Sequence, residues 1–424
     1  MTLPLLLIGI LALFLLRVPM AFAILGPSVV YLLVEDYSLH LGVRLVMQGI
    51  NSWPLLAVPL FILVGIVATR TEIADRLYDA ALLLLGPLRA GLAYVNIAVS
   101  LGFSWMSGAS LADAAGIGSI EVNHMRKKGY PAEFSVGLSA SSSLISPIMP
   151  PSIPAVVYAS VAAVSTGALF AAAVIPAFLM TAALVLVVFL WSRSRPDLVG
   201  EPYSRTAVRR AVLRALPPLG APVLILGGIL GGFFTPTEAA AIGALYMLLL
   251  ALSCRTMRPR DMALIFRDTA VISGQIMIII GASTLLSWIL AREQVPQTVA
   301  EGLLGLTDNP IVFLLIVNVL LIVLGMILEP TSALLIITPI LLPVAVQFGV
   351  DPLQLGSIII FNLMIGLMTP PMGGVVFVLS SVTGISVERV FRGAAFYLPA
   401  MVIVLLLITY IPALTLWLPA ALGL

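Results

Sequence analysis

Small residues that carry oxygen gather at two short stretches of this 424-residue chain. The first, MSGASLADAAG, offers the hydroxyls of Ser107 and Ser110, the bare backbone of Gly108 and the carboxylate of Asp113. The second, LEPTSALL, offers Glu329, Thr331 and Ser332 after Pro330. Hard cations prefer oxygen donors, and sodium is served by about five or six of them, largely neutral. Two further stretches, SPIMPPSIPAVVYAS and LMTPPMGGVVFVLS, set the proline pairs Pro150–Pro151 and Pro370–Pro371 inside apolar segments. A proline pair removes helix donors and clashes with the preceding turn. The backbone groups it frees must find partners, because hydrocarbon offers none. Ser107 or Thr331 facing the break at Pro150 or Pro370 would complete an oxygen shell for an ion. Ser143 and Ser146 ahead of the first break, and Ser332 beside Thr331, are placed to line a solute path.

Each feature has a plainer reading. A proline break can be a kink whose freed groups are met by neighbouring hydroxyls, and small residues can serve close helix packing. The run SASSS, Ser139 to Ser143, fits either a polar path or such packing. Asp113 and Glu329 can cap helix ends in water or act as buried ion-coupling carboxylates. TPTEAAAIG reads as a capped helix start, with Glu238 three residues after Thr235.

The elements that must position these groups lie in a bilayer. Hydrophobic residues make up 61% of the chain and charged residues 9%, against roughly 25% charged in soluble domains. Mean hydropathy is +1.17, and the chain reads as an all-α polytopic membrane protein. One cysteine, Cys254, and two histidines, His40 and His124, leave little for metal or redox chemistry. No basic tract suits a nucleic acid. The first apolar segment lacks a basic leader and runs on to Val34, so it is expected to be an uncleaved span. Spans are predicted near 2–34, 54–69, 89–104, 134–165, 168–191, 217–253, 269–291, 310–327, 352–384 and 395–418. Between them, the mixed polar stretches Ser107–Gly129 and Glu329–Gly349 suit re-entrant hairpins buried in protein.

The two halves of the list match. PIMPPSIPAVVYASVAAVST aligns without gaps on LMTPPMGGVVFVLSSVTGIS, so Pro150 and Pro151 fall on Pro370 and Pro371, 220 residues later. Gly129 with Gly349, Asn96 with Asn318, Gly65 with Gly281 and Pro19 with Pro236 follow in order with a slowly drifting offset. An internal duplication is the reading, with 1–191 and 217–424 as repeats and 192–216 as a linker. Hairpins fall at about 105–130 and 329–350, and discontinuous helices at 134–165 and 352–384. Paired interrupted helices in corresponding places point to a binding site in secondary transporters.

Arg126, Lys127 and Lys128, and the arginine-rich linker from Arg193 to Arg214, are expected on the cytoplasmic side, whereas QFGVDP after the second hairpin carries only Asp351. That asymmetry favours inverted repeats, with 2–34 and 217–253 each a long broken crossing. On this count Arg255, Arg258, Arg260 and Arg267 fall on the wrong side, and two crossings within 217–253 would return them.

With MSGASLADAAGIGSI, SPIMPPSI, GGFFTPTEAAAIGALY, LEPTSALLIITPILLP and LMTPPMGG in this order, the chain resembles the large membrane subunit, DctM type, of tripartite ATP-independent periplasmic (TRAP) transporters. The resemblance covers essentially the whole chain. It implies an elevator-type secondary transporter of the bacterial inner membrane that couples sodium (Na+) to uptake of an organic acid. Its partners would be a small four-helix membrane subunit (DctQ type), a periplasmic substrate-binding protein (DctP type) and membrane lipid. It also implies one sodium site at Ser107, Gly108, Ser110 and Pro150, and another at Gly325, Thr331, Gly366, Thr369 and Met372. The family's first tip is closer to SGSS; Ala109 removes one hydroxyl here.

Two other transport readings stay open: proton coupling through Asp113 or Glu329, and an anion symporter of related fold that works without a binding protein. An intramembrane enzyme is disfavoured, since neither HExxH nor GxSxG occurs. A purely structural subunit leaves the duplicated breaks unexplained.

Overall fold

The computed structural model describes residues 2–16, 18–71, 73–200, 203–254 and 256–424, so Arg255 lies outside the described residues. The fold is an all-α bundle in which, among the described residues, seven helices are long and apolar enough to span a membrane.

Two expected crossings are in fact helix pairs. Segment 2–34 divides into Thr2–Leu15 and Met20–Val34, which turn back so that Gly9 meets Pro27. Segment 217–253 divides into Arg205–Leu230 and Pro236–Ser253, with Gly220 against Tyr246 and Gly243 against Ile225. Gly231 and Gly232 make the turn, and Thr235 with Glu238 forms the capping box that starts the next helix. The apolar runs hide these turns: 231–234 in the second are all Gly or Phe, and the first falls between two strongly apolar helices. The linker is shorter than expected, since Arg205–Leu230 takes up its last residues.

The extra reversal gathers the basic segments on one face. Arg70 pairs with Asp268, and the Arg76 guanidinium lies 3.1 Å from the Cys254 sulfur. One cavity there is lined by Asp75, Asp79, Arg210 and Arg214, and another by His124, Lys127, Lys128 and Tyr203. Arg258, Arg260 and Arg267 thus stay with the linker's arginines, as the two-crossing count required. Helices Leu39–Ile50, Ile73–Leu85 and Val295–Leu306 fall between the predicted spans. Their polar faces kept them below the hydropathy of a crossing.

Eight helices carry the site and are numbered here. In the first half these are α1 (Gly91–Ser107), α2 (Ser119–Lys127), α3 (Ala132–Ser143) and α4 (Ile153–Ala162). In the second they are α5 (Pro310–Ile327), α6 (Pro330–Gln347), α7 (Pro352–Gly366) and α8 (Gly374–Thr383). The predicted hairpin stretches are each only the returning arm. The descending arms are α1 and α5, apolar enough to have been read as crossings of their own. Phe313 stacks on Phe348, centroids 4.2 Å apart, and closes the wide end of the second hairpin.

The segments 134–165 and 352–384 are broken as predicted, into α3 and α4 and into α7 and α8. Each second piece leans on the other half's hairpin: α4 packs on α6, and α8 on the arm of α2. At the entry to α3, Glu133 pairs with Arg389 beyond α8, and Gly137 touches the Gly393 backbone. At the entry to α7, the Tyr158 hydroxyl of α4 donates to the Pro352 carbonyl at 2.7 Å. Each broken helix therefore begins where the other one ends.

Candidate ion and solute site

The first hairpin turns at Gly108, which ends α1 in the left-handed region at φ 61°. A side chain there would be strained, and its Cβ would sit 2.9 Å from the Pro151 carbonyl oxygen. The tip thus presses its backbone onto the proline break at Gly108, with Ser107 next to it in the chain. Ser107 is buried and exchanges only long contacts with Ala109, of 3.3 and 3.4 Å. Its lone pairs stay available for a ligand. Ser110 is buried at the start of the returning arm.

The second tip repeats this. Gly366, the last residue of α7, lies against Gly325 of α5 so closely that a Cβ would fall 2.4 Å from the Gly325 carbonyl carbon. Beyond Pro370–Pro371, which like Pro150–Pro151 is cis, the Met372 amide donates to the Met326 carbonyl at 3.3 Å. Gly325, Gly366 and the Met372 backbone thus converge. Thr331 and Ser332 donate instead to Glu329, at 2.9 and 3.3 Å. Glu329 also caps α6 by accepting from the Ser332 amide. It is exposed. The Thr369 hydroxyl donates to the Ile365 carbonyl, which leaves its oxygen lone pairs free.

Asp113 differs from Glu329. It is 4% exposed and neither carboxylate oxygen has a hydrogen-bond partner. The Ser107 and Ser146 hydroxyls face it without completing a bond. A π turn over Ala114–Gly118 follows. Its extra residue turns the spacing from Asp113 to Glu121 into about two whole turns, so both acids share one face. Glu121 is buried and accepts from the Asn96 side-chain amide. Asn96 also donates to Ser139 at 2.7 Å and accepts from Ser142 at 2.8 Å.

Across the repeat, Asn318 accepts from Asn362 at 2.8 Å and donates to Thr409 at 3.1 Å. Asn96 and Asn318 were visible in the sequence only as a matched pair. Glu121 carried no signal at all, since its stretch is polar and its burial comes from the fold. The SASSS run is divided: Ser139 and Ser142 serve Asn96, while Ser143 donates to the Ala140 carbonyl. Ser146, fully buried, has an unpartnered hydroxyl.

Among the described residues no three His, Cys, Asp or Glu side chains come together to hold a metal. The donors at both tips are hydroxyls and backbone carbonyls, which suits a monovalent hard cation better than a transition metal.

Residues 7–414 match the family model of the tripartite ATP-independent periplasmic transporter, DctM component. The sialic acid TRAP transporter large permease protein of Vibrio cholerae is 38% identical, covering 95% of this chain and 94% of its own. The C4-dicarboxylate TRAP transporter large permease protein of Pseudomonas aeruginosa is 37% identical, over 94% and 93%. In fold, the chain is similar to the crystal structure of the Alcanivorax borkumensis YdaH transporter, with a TM-score of 0.56 at 14% identity over 89% of this chain and 87% of that one. The duplicated breaks thus belong to a multi-span transport protein of the bacterial inner membrane, not to an enzyme, and the chain is a member of the DctM-component family of tripartite ATP-independent periplasmic transporters.

Proposed function

We propose that this permease couples the inward movement of sodium to the uptake of an organic acid. It would work with a small membrane subunit and a periplasmic binding protein that delivers the acid. The observation that carries the reading is that each hairpin packs its end against an interrupted helix, Gly108 on the Pro151 carbonyl in one and Gly325 on Gly366, with the Met372 amide on the Met326 carbonyl, in the other. Each seat offers neutral oxygens at an interrupted helix, the arrangement by which secondary transporters hold ions near the midplane. Ser107, Gly108, Ser110 and the Pro150 region form one sodium site. Gly325, Gly366, Thr369 and the Met372 backbone, with Thr331 nearby, form the other. Ser143, Ser146 and Ser332 line the solute path.

In this proposal 1–191 and 217–424 are inverted repeats, because each broken helix begins where the other ends. The hairpins and broken helices move as one body against the remaining helices, an elevator cycle. The basic face is cytoplasmic. If the tips bind sodium, sodium raises the unfolding temperature of the purified protein. An identical unfolding temperature in sodium and potassium refutes the sites.

One observation favours a second reading. Asp113 is buried without a partner, and a proton is a ligand for it. Under that reading acid pH alone stabilises the protein and drives uptake.

A further inference from the structure

We infer that the permease has a subsite for the polyhydroxylated part of its solute, in a cavity of about 430 Å³ between Leu39–Ile50, Pro259–Arg292, α4 and α6. This deepens the proposed import of an organic acid and rests on that reading. The cavity is lined by the side chains of Gln48, Ser52, Ser160, Ser283, Thr284 and Ser287, and no charged residue takes part. Trp288 supplies an indole at its edge, held by the Tyr37 ring at 5.2 Å and 90°. Hydroxyls, one amide and one aromatic face form a surface for sugar-like groups, whereas a carboxylate finds no cation here. Ser283 is 1% exposed and its hydroxyl has no partner in the protein. An unpaired buried donor is unfavourable unless a ligand satisfies it.

The cavity is of ligand size and lies where the two bodies meet, since Ser52 and Ser160 touch across it at 3.1 Å. Leu335 of α6 lines its inner end, one turn from Ser332 and Thr331 at the second tip. A solute can therefore rest its hydroxyls here while its acid group points to the tip. A site built to pair hydroxyls rejects analogues that lack them. The structure thus assigns sugar-type acids, rather than plain dicarboxylates, as the solute class.

The test is thermal unfolding of the purified full-length protein with gluconate, N-acetylneuraminate or succinate, each with and without sodium. At least one of the two polyhydroxylated acids raises the unfolding temperature, and succinate does so less. Trp288→Ala abolishes the shift. Ser283→Ala leaves the ligand-free protein as stable as before or more so, because it removes an unpaired hydroxyl, yet shrinks the shift. Stabilisation by sodium alone survives both substitutions. No shift with either polyhydroxylated acid, or a shift untouched by both variants, overturns the subsite. Loss of the sodium effect with the acid effect intact instead overturns sodium coupling and leaves the subsite standing.

Discussion

Gly325 and Gly366 touch backbone to backbone, and a methyl group on Gly366 would stand 2.5 Å from the Gly325 Cα. Neither chain can retreat, because α5 and α7 pack along their length and share the Asn318–Asn362 bond. Gly366→Ala therefore forces the second tip off its break, with a loss of about 1–3 kcal/mol and of sodium-dependent stabilisation. Gly102, inside α1, has open space where its Cβ would go. Gly102→Ala is expected to be neutral or to stabilise by up to about 1 kcal/mol. Thermal unfolding of the two variants side by side checks the contrast.

At the first tip, Gly108→Ala combines left-handed strain with a Cβ pressed on the Pro151 carbonyl. The strain alone is about 1–2 kcal/mol, which predicts a roughly tenfold weaker apparent sodium affinity. A sodium titration of the unfolding temperature measures it. An unchanged midpoint in Gly108→Ala would show that this tip holds no ion.

Asn96 satisfies Glu121, Ser139 and Ser142 at once. Asn96→Leu strands a buried carboxylate and the Ser139 hydroxyl, with an expected loss of about 3 kcal/mol or more. Pairing it with Glu121→Gln recovers part of that loss, since the stranded group is then neutral. Denaturation of the single and double variants gives the coupling directly.

Much of this arrangement was legible because duplication writes a pattern twice. The breaks at Pro150 and Pro370, the tip residues Gly108 and Ser107, and the capping box at Thr235 could be read from residue types alone. What escaped depended on contacts between distant segments. Glu121 is polar in a polar stretch, and only the packing of α1, α3 and α8 around α2 buries it. The break between Thr2–Leu15 and Met20–Val34 lies inside a long, strongly apolar segment, so two helices passed for one. Asp113 and Glu329 looked equivalent in sequence, yet one is buried without partners and the other caps α6. Ser283 sits in an unremarkable helix, and its cavity exists only where segments distant in the chain meet.

Cys254, the chain's single cysteine, lies beside Arg76 on the arginine-rich face. A membrane-impermeant maleimide is therefore expected to label it in inside-out vesicles and not in intact spheroplasts. Cys254→Ser abolishes the labelling. Asp308→Cys, in the exposed loop before α5, restores it from the opposite side in that background. Labelling of Cys254 from outside would invert the assigned orientation.

Sodium coupling is tested most directly in proteoliposomes holding the permease with its small subunit, supplied with the binding protein and a panel of radiolabelled organic acids. An inward sodium gradient at equal pH should drive accumulation of the cognate acid, faster with a negative interior. A pH gradient without sodium should drive none. Accumulation under the pH gradient alone, with no response to sodium, would contradict the account and return the coupling role to Asp113.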